Sequence, residues 1–240
     1  MKALILAAGL GTRLAPLTND RPKSMVPVNG KPIIIKQIEN LTENGITDIT
    51  VISGYKAEIL ENAVKKAFSS INVVESKDYI NTNNMYSAYL GIRSMFKEGF
   101  EPFLMMNADV FFDASVIKAL LDEKAGNAIV VDKGRYMEES MKVIENDGRI
   151  TSISKKITLN EALGCSIDVY KFDTDGGKAF YECCCDYIES RKELKLWSEV
   201  ALNEALSKVP FKACSLVGRW LEIDNHDDLK EAEALFGEER

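Results

Sequence analysis

The chain has 240 residues, 46% hydrophobic and 28% charged, a globular composition that excludes disordered, collagenous and fibrous chains. That length fits one large domain or two small ones and buries a sizeable core without staples. Its 30 Lys and Arg against 37 Asp and Glu leave a formal charge of −7, which argues against general nucleic-acid binding and leaves room only for a local basic pocket.

The first element is the apolar run at residues 2–7. A single Lys2 before it and Gly-Leu-Gly-Thr-Arg directly after it fit a buried first strand better than a signal peptide. Further strands are expected at 49–53, 72–75 and 103–106, with helices near 31–44, 55–68, 83–97 and 114–124 between them. Short apolar strands separated by helices predict an α/β fold, a mostly parallel sheet flanked by helices. Ligands of such sheets bind beyond the carboxyl ends of the strands.

The second half is less regular. Strands are expected at 128–132, 141–145 and 149–155, the last two joined by the Asn146-Asp147-Gly148 turn, and another at 165–172. Helices follow near 175–190 and 197–207, then short strands at 211–216 and 220–223 and a closing helix at 226–236. Asp224-Asn225 can cap that helix. One continuous domain over 1–240 with a β-rich inserted region is expected, and no apolar run reaches the ~18–20 residues of a membrane span. Five cysteines, three of them consecutive at Cys183, Cys184 and Cys185, predict reduced thiols in a cytoplasmic protein, one or two facing the core. His226 is the only histidine, which removes histidine triads and multi-histidine metal sites.

The strongest chemical signal is Leu6-Ala7-Ala8-Gly9-Leu10-Gly11-Thr12-Arg13-Leu14, followed by Arg21-Pro22-Lys23. Glycines let backbone N–H groups converge on phosphate oxygens, and Arg13 and Lys23 add charge to that cradle. A dinucleotide fingerprint would need glycine at Leu14, and a P-loop would need Gly-Lys-Ser/Thr; both are absent. A nucleoside-triphosphate loop and a plain glycine turn remain. Asp109 ends the run Phe103–Met106, at the carboxyl end of a strand, and Asp224 follows another apolar run. Such carboxylates suit Mg²⁺; alone, each also reads as a turn or cap residue.

The run Leu6–Thr18 with Pro22-Lys23 resembles the signature of sugar-1-phosphate nucleotidylyltransferases and their cytidylyltransferase relatives. The likeness extends through Gly30-Lys31-Pro32-Ile33, Asn44-Gly45-Ile46, Val51–Tyr55, Asn107-Ala108-Asp109 and Glu222-Ile223-Asp224, and is weaker between about 125 and 195. It implies a Rossmann-like, nucleotide-diphospho-sugar transferase-like fold. Residues 1–125 would form the nucleotide-binding part and 126–240 the acceptor-binding part. The implied reaction is transfer of a nucleotidyl group from a nucleoside triphosphate to a phosphorylated acceptor, with release of pyrophosphate.

The resemblance implies catalytic roles for Lys23, Arg13 and Asp109, and Mg²⁺ binding by Asp109 and Asp224. It implies nucleotide contacts from Leu6, Ala7, Ala8, Gly9, Gly11, Thr12, Arg13 and Lys23, and from Gly54, Tyr55, Asn84, Ser87 and Asn107. Asn83-Asn84-Met85-Tyr86-Ser87 resembles a stretch of bacterial phosphocholine cytidylyltransferases and, more loosely, of 2-aminoethylphosphonate cytidylyltransferases, which points to CTP. Trp197-Ser198-Glu199 resembles their aromatic-aromatic-acidic acceptor element, departing from it at Ser198. Trp197 and Glu199 can hold an ammonium, or Trp197 is a core residue. Tyr86 meets the acceptor or packs on a neighbour. Lys142 meets the acceptor phosphate or is an exposed strand lysine, and Tyr136, Glu138 and Glu139 meet the acceptor's ammonium or form a solvated acidic loop. A hexose-1-phosphate nucleotidylyltransferase using UTP or dTTP is the alternative enzyme. A silent nucleotide-binding relative is the alternative of another class, disfavoured by the intact Arg13, Lys23, Asp109 and Asp224.

Overall fold

In the computed structural model, which describes residues 1–134 and 136–237, the first apolar run is strand β1 (Lys2–Ala7), with five of its six residues buried. A small ribbon of β2 (Pro27–Val28) and β3 (Lys31–Pro32) leads into α1 (Ile33–Glu43). Then come β4 (Asp48–Ser53), α2 (Ala57–Ala67), β5 (Asn72–Glu75) and α3 (Asn84–Met95). They are followed by β6 (Phe103–Asn107), β7 (Val110–Phe112) and α4 (Ala114–Asp122). The second half contains β8 (Ala128–Asp132), β9 (Lys142–Asn146), β10 (Arg149–Ser154), β11 (Gly164–Phe172) and α5 (Thr174–Cys185). It closes with α6 (Ser198–Ala205), β12 (Lys212–Ser215), β13 (Trp220–Glu222) and α7 (His226–Leu235).

The main sheet runs β10-β9-β11-β6-β1-β4-β5, with β8 joining β11 and β12 beside that path. It is parallel from β6 to β5 and antiparallel where β11 meets β6, β8 and β9. The β-rich second half thus extends the same sheet. Alternate residues of β1 feed two cores. Leu4 and Leu6 pack under α3, α5 and α6, while Ala3, Ile5 and Ala7 pack under α1, α2 and α4. Period-two alternation with both faces apolar is what a sheet covered on both sides requires. A third cluster joins α7 to the segment after β1 through Leu14, Phe111, Leu221, Ile223 and Leu229.

Departures from expectation are local. β2, β3 and β7 are too short to show as apolar runs. The helix near 175–190 narrows to α5 and continues as a wider turn over Asp186–Ser190. Four of the five cysteines are buried, more than the one or two expected. Among the described residues, no helix is long and apolar enough to cross a membrane.

Candidate active site

β1 lies between β4 and β6, with Leu6 opposite Ile52 on one side and Asn107 on the other. The segments leaving these strands open one cavity of about 390 Å³. Leu6, Ala7 and Ala8 line its floor, and Gly9, Gly11, Thr12 and Arg13 line its rim. Gly11 has φ +66°, and a Cβ there would lie 2.6 Å from the Lys23 Cβ. Glycine is therefore required twice, for the left-handed backbone and for the close approach of Lys23. Gly54 and Tyr55 do not line the cavity, contrary to their expected nucleotide contact. They support the loop from behind: the Tyr55 N–H donates to the Ala8 carbonyl at 3.3 Å. A Cβ on Gly54 would meet that carbonyl at 2.7 Å.

Lys23 is the centre of the charged wall. Its Nζ donates to Asp109 Oδ2 at 2.9 Å and to Asp224 Oδ1 at 2.6 Å. Arg13 reaches the same Asp224 oxygen at 2.8 Å. The two aspartates meet because β7 and β13 pair as an antiparallel ribbon, with Glu222 opposite Val110. The Ile223 N–H donates to the Asp109 carbonyl at 2.9 Å and closes the ribbon. The cap of α7 is Asn225, in a capping box with Asp228. Asp224 is thus not the cap and its side chain faces Lys23 and Arg13.

Glu222 joins this group. Glu222 ends β13 and Asp224 follows two residues later, and carboxylate oxygens of Asp109, Glu222 and Asp224 all lie within 4.8 Å of one another. Asp109 Oδ1 is buried with no hydrogen-bond partner. Three hard oxygen donors, one orphaned, fit a small divalent cation such as Mg²⁺. Burial alone would lower the Lys23 pKa, but the charges of Asp109 and Asp224 outweigh it and hold it above the ordinary value. Desolvation would raise Asp224, but Lys23 and Arg13 outweigh it and hold it low. Glu222, although exposed as a residue, has a carboxyl pushed up to about 8 by desolvation and by the charges of Asp109 and Asp224.

The opposite wall is held by amides. Asn83 caps α3, and its side-chain Oδ1 accepts from the Asn84 N–H. Asn84 Oδ1 accepts from the Ser198 N–H at 2.8 Å, fixing the start of α6 against α3. Ser87, one turn along α3, is buried and also lines the cavity. Asn107 Nδ2 donates to Asp168 Oδ2 at 2.8 Å. The Tyr170 hydroxyl lies 2.9 Å from Asp168 Oδ1 and 3.0 Å from Glu199 Oε1. Trp197 is 45% exposed and no core residue; it lines the cavity with the Lys155 ammonium 4.9 Å from its ring centre.

Two expected acceptor residues lie elsewhere. Tyr86 packs on Tyr89, ring centres 6.0 Å apart, and does not line the cavity. Lys142 is neither at the cavity nor exposed. It is fully buried, and its ammonium donates to the carbonyls of Met137, Glu138 and Ser140. Tyr136, Glu138 and Glu139 also lie outside the cavity lining. Conversely, Lys155, Asp168, Glu222, Tyr79 and Thr82 line it and escape sequence reading. A signal existed for two of them: Asp168 interrupts an apolar strand, and Glu222 stands at the period-two position before Asp224.

Comparison with known proteins fits this geometry. Residues 2–238 match the sequence family described as Nucleotidyl transferase. A CTP:phosphoglutamine cytidylyltransferase of Campylobacter jejuni is 31% identical over an alignment covering 96% of this chain and 98% of that one. A UTP–glucose-1-phosphate uridylyltransferase of Haloferax volcanii is 29% identical, with 100% and 98% covered. The solved CTP:phosphocholine cytidylyltransferase of Streptococcus pneumoniae superimposes with a TM-score of 0.77 at 25% identity, covering 97% of each chain.

Proposed function

The chain belongs to the nucleotidyl transferase family, and from that premise we propose that it transfers CMP from CTP to a small phosphate or phosphonate acceptor of the phosphocholine or 2-aminoethylphosphonate class. Its fold is that of the nucleotide-diphospho-sugar transferases. The observation that carries the reading is the convergence of Lys23, Arg13 and three carboxylates on one glycine-lined cavity. The cytidylyl choice is supported by the likeness to the Campylobacter and Streptococcus enzymes.

An acceptor phosphate oxygen is already an anion near neutral pH, so its attack on the α-phosphorus needs no strong general base. A new P–O bond forms to the acceptor, the bond between the α-phosphorus and the bridging oxygen breaks, and pyrophosphate leaves with the electron pair. Arg13 and Lys23 neutralise charge on the triphosphate as it shifts toward the leaving group. The N–H groups of the Gly9–Thr12 loop hold the phosphates in place, and Asn84, Ser87 and Asn107 form the opposite wall against the nucleoside. Asp109 and Asp224, with Glu222 beside them, would hold Mg²⁺, which supplies Lewis-acid stabilisation when bound. Residues 1–125 then supply most of the nucleotide wall. Residues 126–240 supply the acceptor wall, from Lys155, Asp168, Trp197 and Glu199, and also return Asp224 to the charged centre.

The Haloferax relative favours a second reading, uridylyl transfer to a hexose-1-phosphate. A pyrophosphate-release assay crossing the four nucleoside triphosphates and dTTP with phosphocholine, 2-aminoethylphosphonate and hexose-1-phosphates separates the two. Pyrophosphate from CTP with an amine-bearing acceptor is expected. Release only from UTP or dTTP with a hexose-1-phosphate overturns the cytidylyl reading.

A further inference from the structure

β7 has a strand partner on one edge only. There the Ile223 N–H donates to the Asp109 carbonyl at 2.9 Å, and the Asp113 N–H donates to the Arg219 carbonyl at 3.0 Å. The carbonyls of the intervening residues face the opposite edge, as alternate groups of a strand do. Among the described residues no strand pairs with that edge. α1 takes its place with a row of amide side chains, Gln37, Asn40 and Asn44, spaced to share one helix face. Asn40 Nδ2 donates to the Phe112 carbonyl at 2.7 Å, and Asn44 Nδ2 to the Ala114 carbonyl at 3.2 Å. Gln37 Nε2 donates to the Val110 carbonyl at 2.8 Å and to the Asn107 carbonyl at 2.9 Å.

Gln37 differs from the other two. Its amide has two N–H donors, and the two carbonyls that accept from it bracket Asp109 in the chain. The Asp109 carbonyl itself is held from the far side by Ile223. The turn carrying the carboxylate is therefore pinned on both flanks. Gln37 is fully buried, and its Oε1 has no hydrogen-bond partner, a cost in stability that the two donated bonds must offset. The same helix also fixes the segment of Lys23. At its start the Ile33 N–H donates to the Val26 carbonyl at 3.2 Å, and the Val26 N–H closes the helical turn Lys23–Met25 on the Lys23 carbonyl at 2.9 Å. α1 thus sets both sides of the 2.9 Å contact between Lys23 Nζ and Asp109 Oδ2.

We propose that Gln37 is a positioning residue of the charged centre: its amide holds the Asn107–Val110 turn so that the Asp109 carboxylate stands where Lys23 and a divalent cation meet it. The inference rests on the reading above, in which Asp109 holds the cation, and extends it to a residue outside the cavity lining. A cation of the Mg²⁺ kind demands near-ideal ligand geometry. A carboxylate whose backbone turn is loosened meets that demand less often. Losing a group that orients a metal ligand typically costs about 10- to 100-fold in metal affinity or activity.

The test compares Gln37→Leu, which keeps bulk and removes both donors, with Asn40→Leu, which removes the same kind of bond from Phe112, farther along β7 from Asp109. Both variants are expected to melt lower than the wild type. Only Gln37→Leu is expected to weaken Mn²⁺ binding, read by electron paramagnetic resonance without nucleotide, by about 10- to 100-fold, with a similar fall in kcat. Its affinity for the nucleoside triphosphate that the wild type turns over, measured by calorimetry in EDTA, is expected to stay within about twofold. Gln37→Asn shortens the reach by one methylene without setting an apolar group against the carbonyls, and is expected to move Mn²⁺ affinity and kcat in the same direction. It carries the test if the leucine variant does not fold. Wild-type Mn²⁺ affinity and kcat in a folded Gln37 variant would overturn the positioning role. An equal loss of Mn²⁺ affinity in Asn40→Leu would overturn it too, because loosening of β7 as a whole would then suffice. No Mn²⁺ binding by the wild type, or full activity of Asp109→Asn, would instead remove the reading of Asp109 as the cation's carboxylate, and Gln37 with it.

Discussion

The Lys23 ammonium stands 2.6 Å from the Asp224 carboxylate and 2.9 Å from that of Asp109, between two acids that would hold a divalent cation. Like charges repel, so Lys23 and a bound divalent cation would compete for the negative charge of these two aspartates. Lys23→Ala is expected to bind Mn²⁺ more tightly than the wild type in the absence of nucleotide, read by electron paramagnetic resonance titration. The same variant is expected to lose about 10²–10³-fold in kcat/KM, the scale of one charge-stabilising donor. Near-normal turnover in a pyrophosphate assay would remove Lys23 from the reaction, and unchanged Mn²⁺ affinity would remove the competition.

Asp109→Asn and Asp224→Asn keep shape and lose charge. Each is expected to abolish nearly all turnover while the far-ultraviolet circular dichroism stays native. Excess EDTA is expected to do the same to the wild type, with recovery on adding Mg²⁺. Full activity in EDTA would sink the carboxylate model.

Gly9 and Gly11 separate fold from function. A Cβ on Gly9 meets nothing within 4 Å, and its φ is not in the left-handed region, whereas Gly11 has φ +66° and the Lys23 Cβ at 2.6 Å. Gly9→Ala is expected to leave the melting temperature unchanged and raise KM for the nucleotide, because the added methyl occupies the approach of phosphate to backbone. Gly11→Ala is expected to lower both melting temperature and kcat. A wild-type KM in Gly9→Ala would show that no phosphate comes close to that backbone.

The acids of the cavity make stability depend on pH in a direction opposite to most carboxylates. Asp168 is raised by desolvation and then by Glu199 and Glu222, and Glu199 by desolvation and then by Asp109. Glu222 rises from an ordinary 4.5 to about 8. A group raised in the fold binds its proton more tightly folded than unfolded, so its contribution is full below the unfolded value and lost as pH climbs through the folded one. The metal-free protein is expected to melt progressively lower as pH rises from about 4.5 to about 8, and Glu222→Gln is expected to flatten that decline. Asp224, held low, works in reverse: its stabilisation is present above the ordinary carboxylate range and fades as pH falls through its depressed value. A flat melting profile across the Glu222 window in the wild type would show that the carboxyl is not raised.

The parts of the site legible in the sequence are those written in one short stretch. The loop from Leu6 to Arg13, with Lys23 soon after, is read locally because glycine and charge follow an apolar strand without interruption. Asp109 and Asp224 were legible as strand-end carboxylates, but their meeting was not. It depends on β7 and β13, strands of three residues each, too short to leave a periodic trace. Lys142 misled because lysine on a strand reads as exposed; three carbonyls make its burial tolerable. Asp168 shows in the sequence only as an acid interrupting an apolar strand; its left-handed backbone belongs to the irregular pairing of β11 with β8, which no local pattern reveals.

The β7–β13 ribbon has one more consequence, in the order in which the protein is made. A chain emerging from the ribosome presents the glycine loop, Lys23 and Asp109 long before Asp224, yet Lys23 meets both carboxylates only once the ribbon closes. Until then Lys23 has only Asp109 of its two carboxylate partners. Any fragment that stops short of Glu222 keeps the loop but lacks two of the three acids grouped there. The charged centre is therefore assembled only when the β7–β13 ribbon closes, because it is also the seam that joins the two halves.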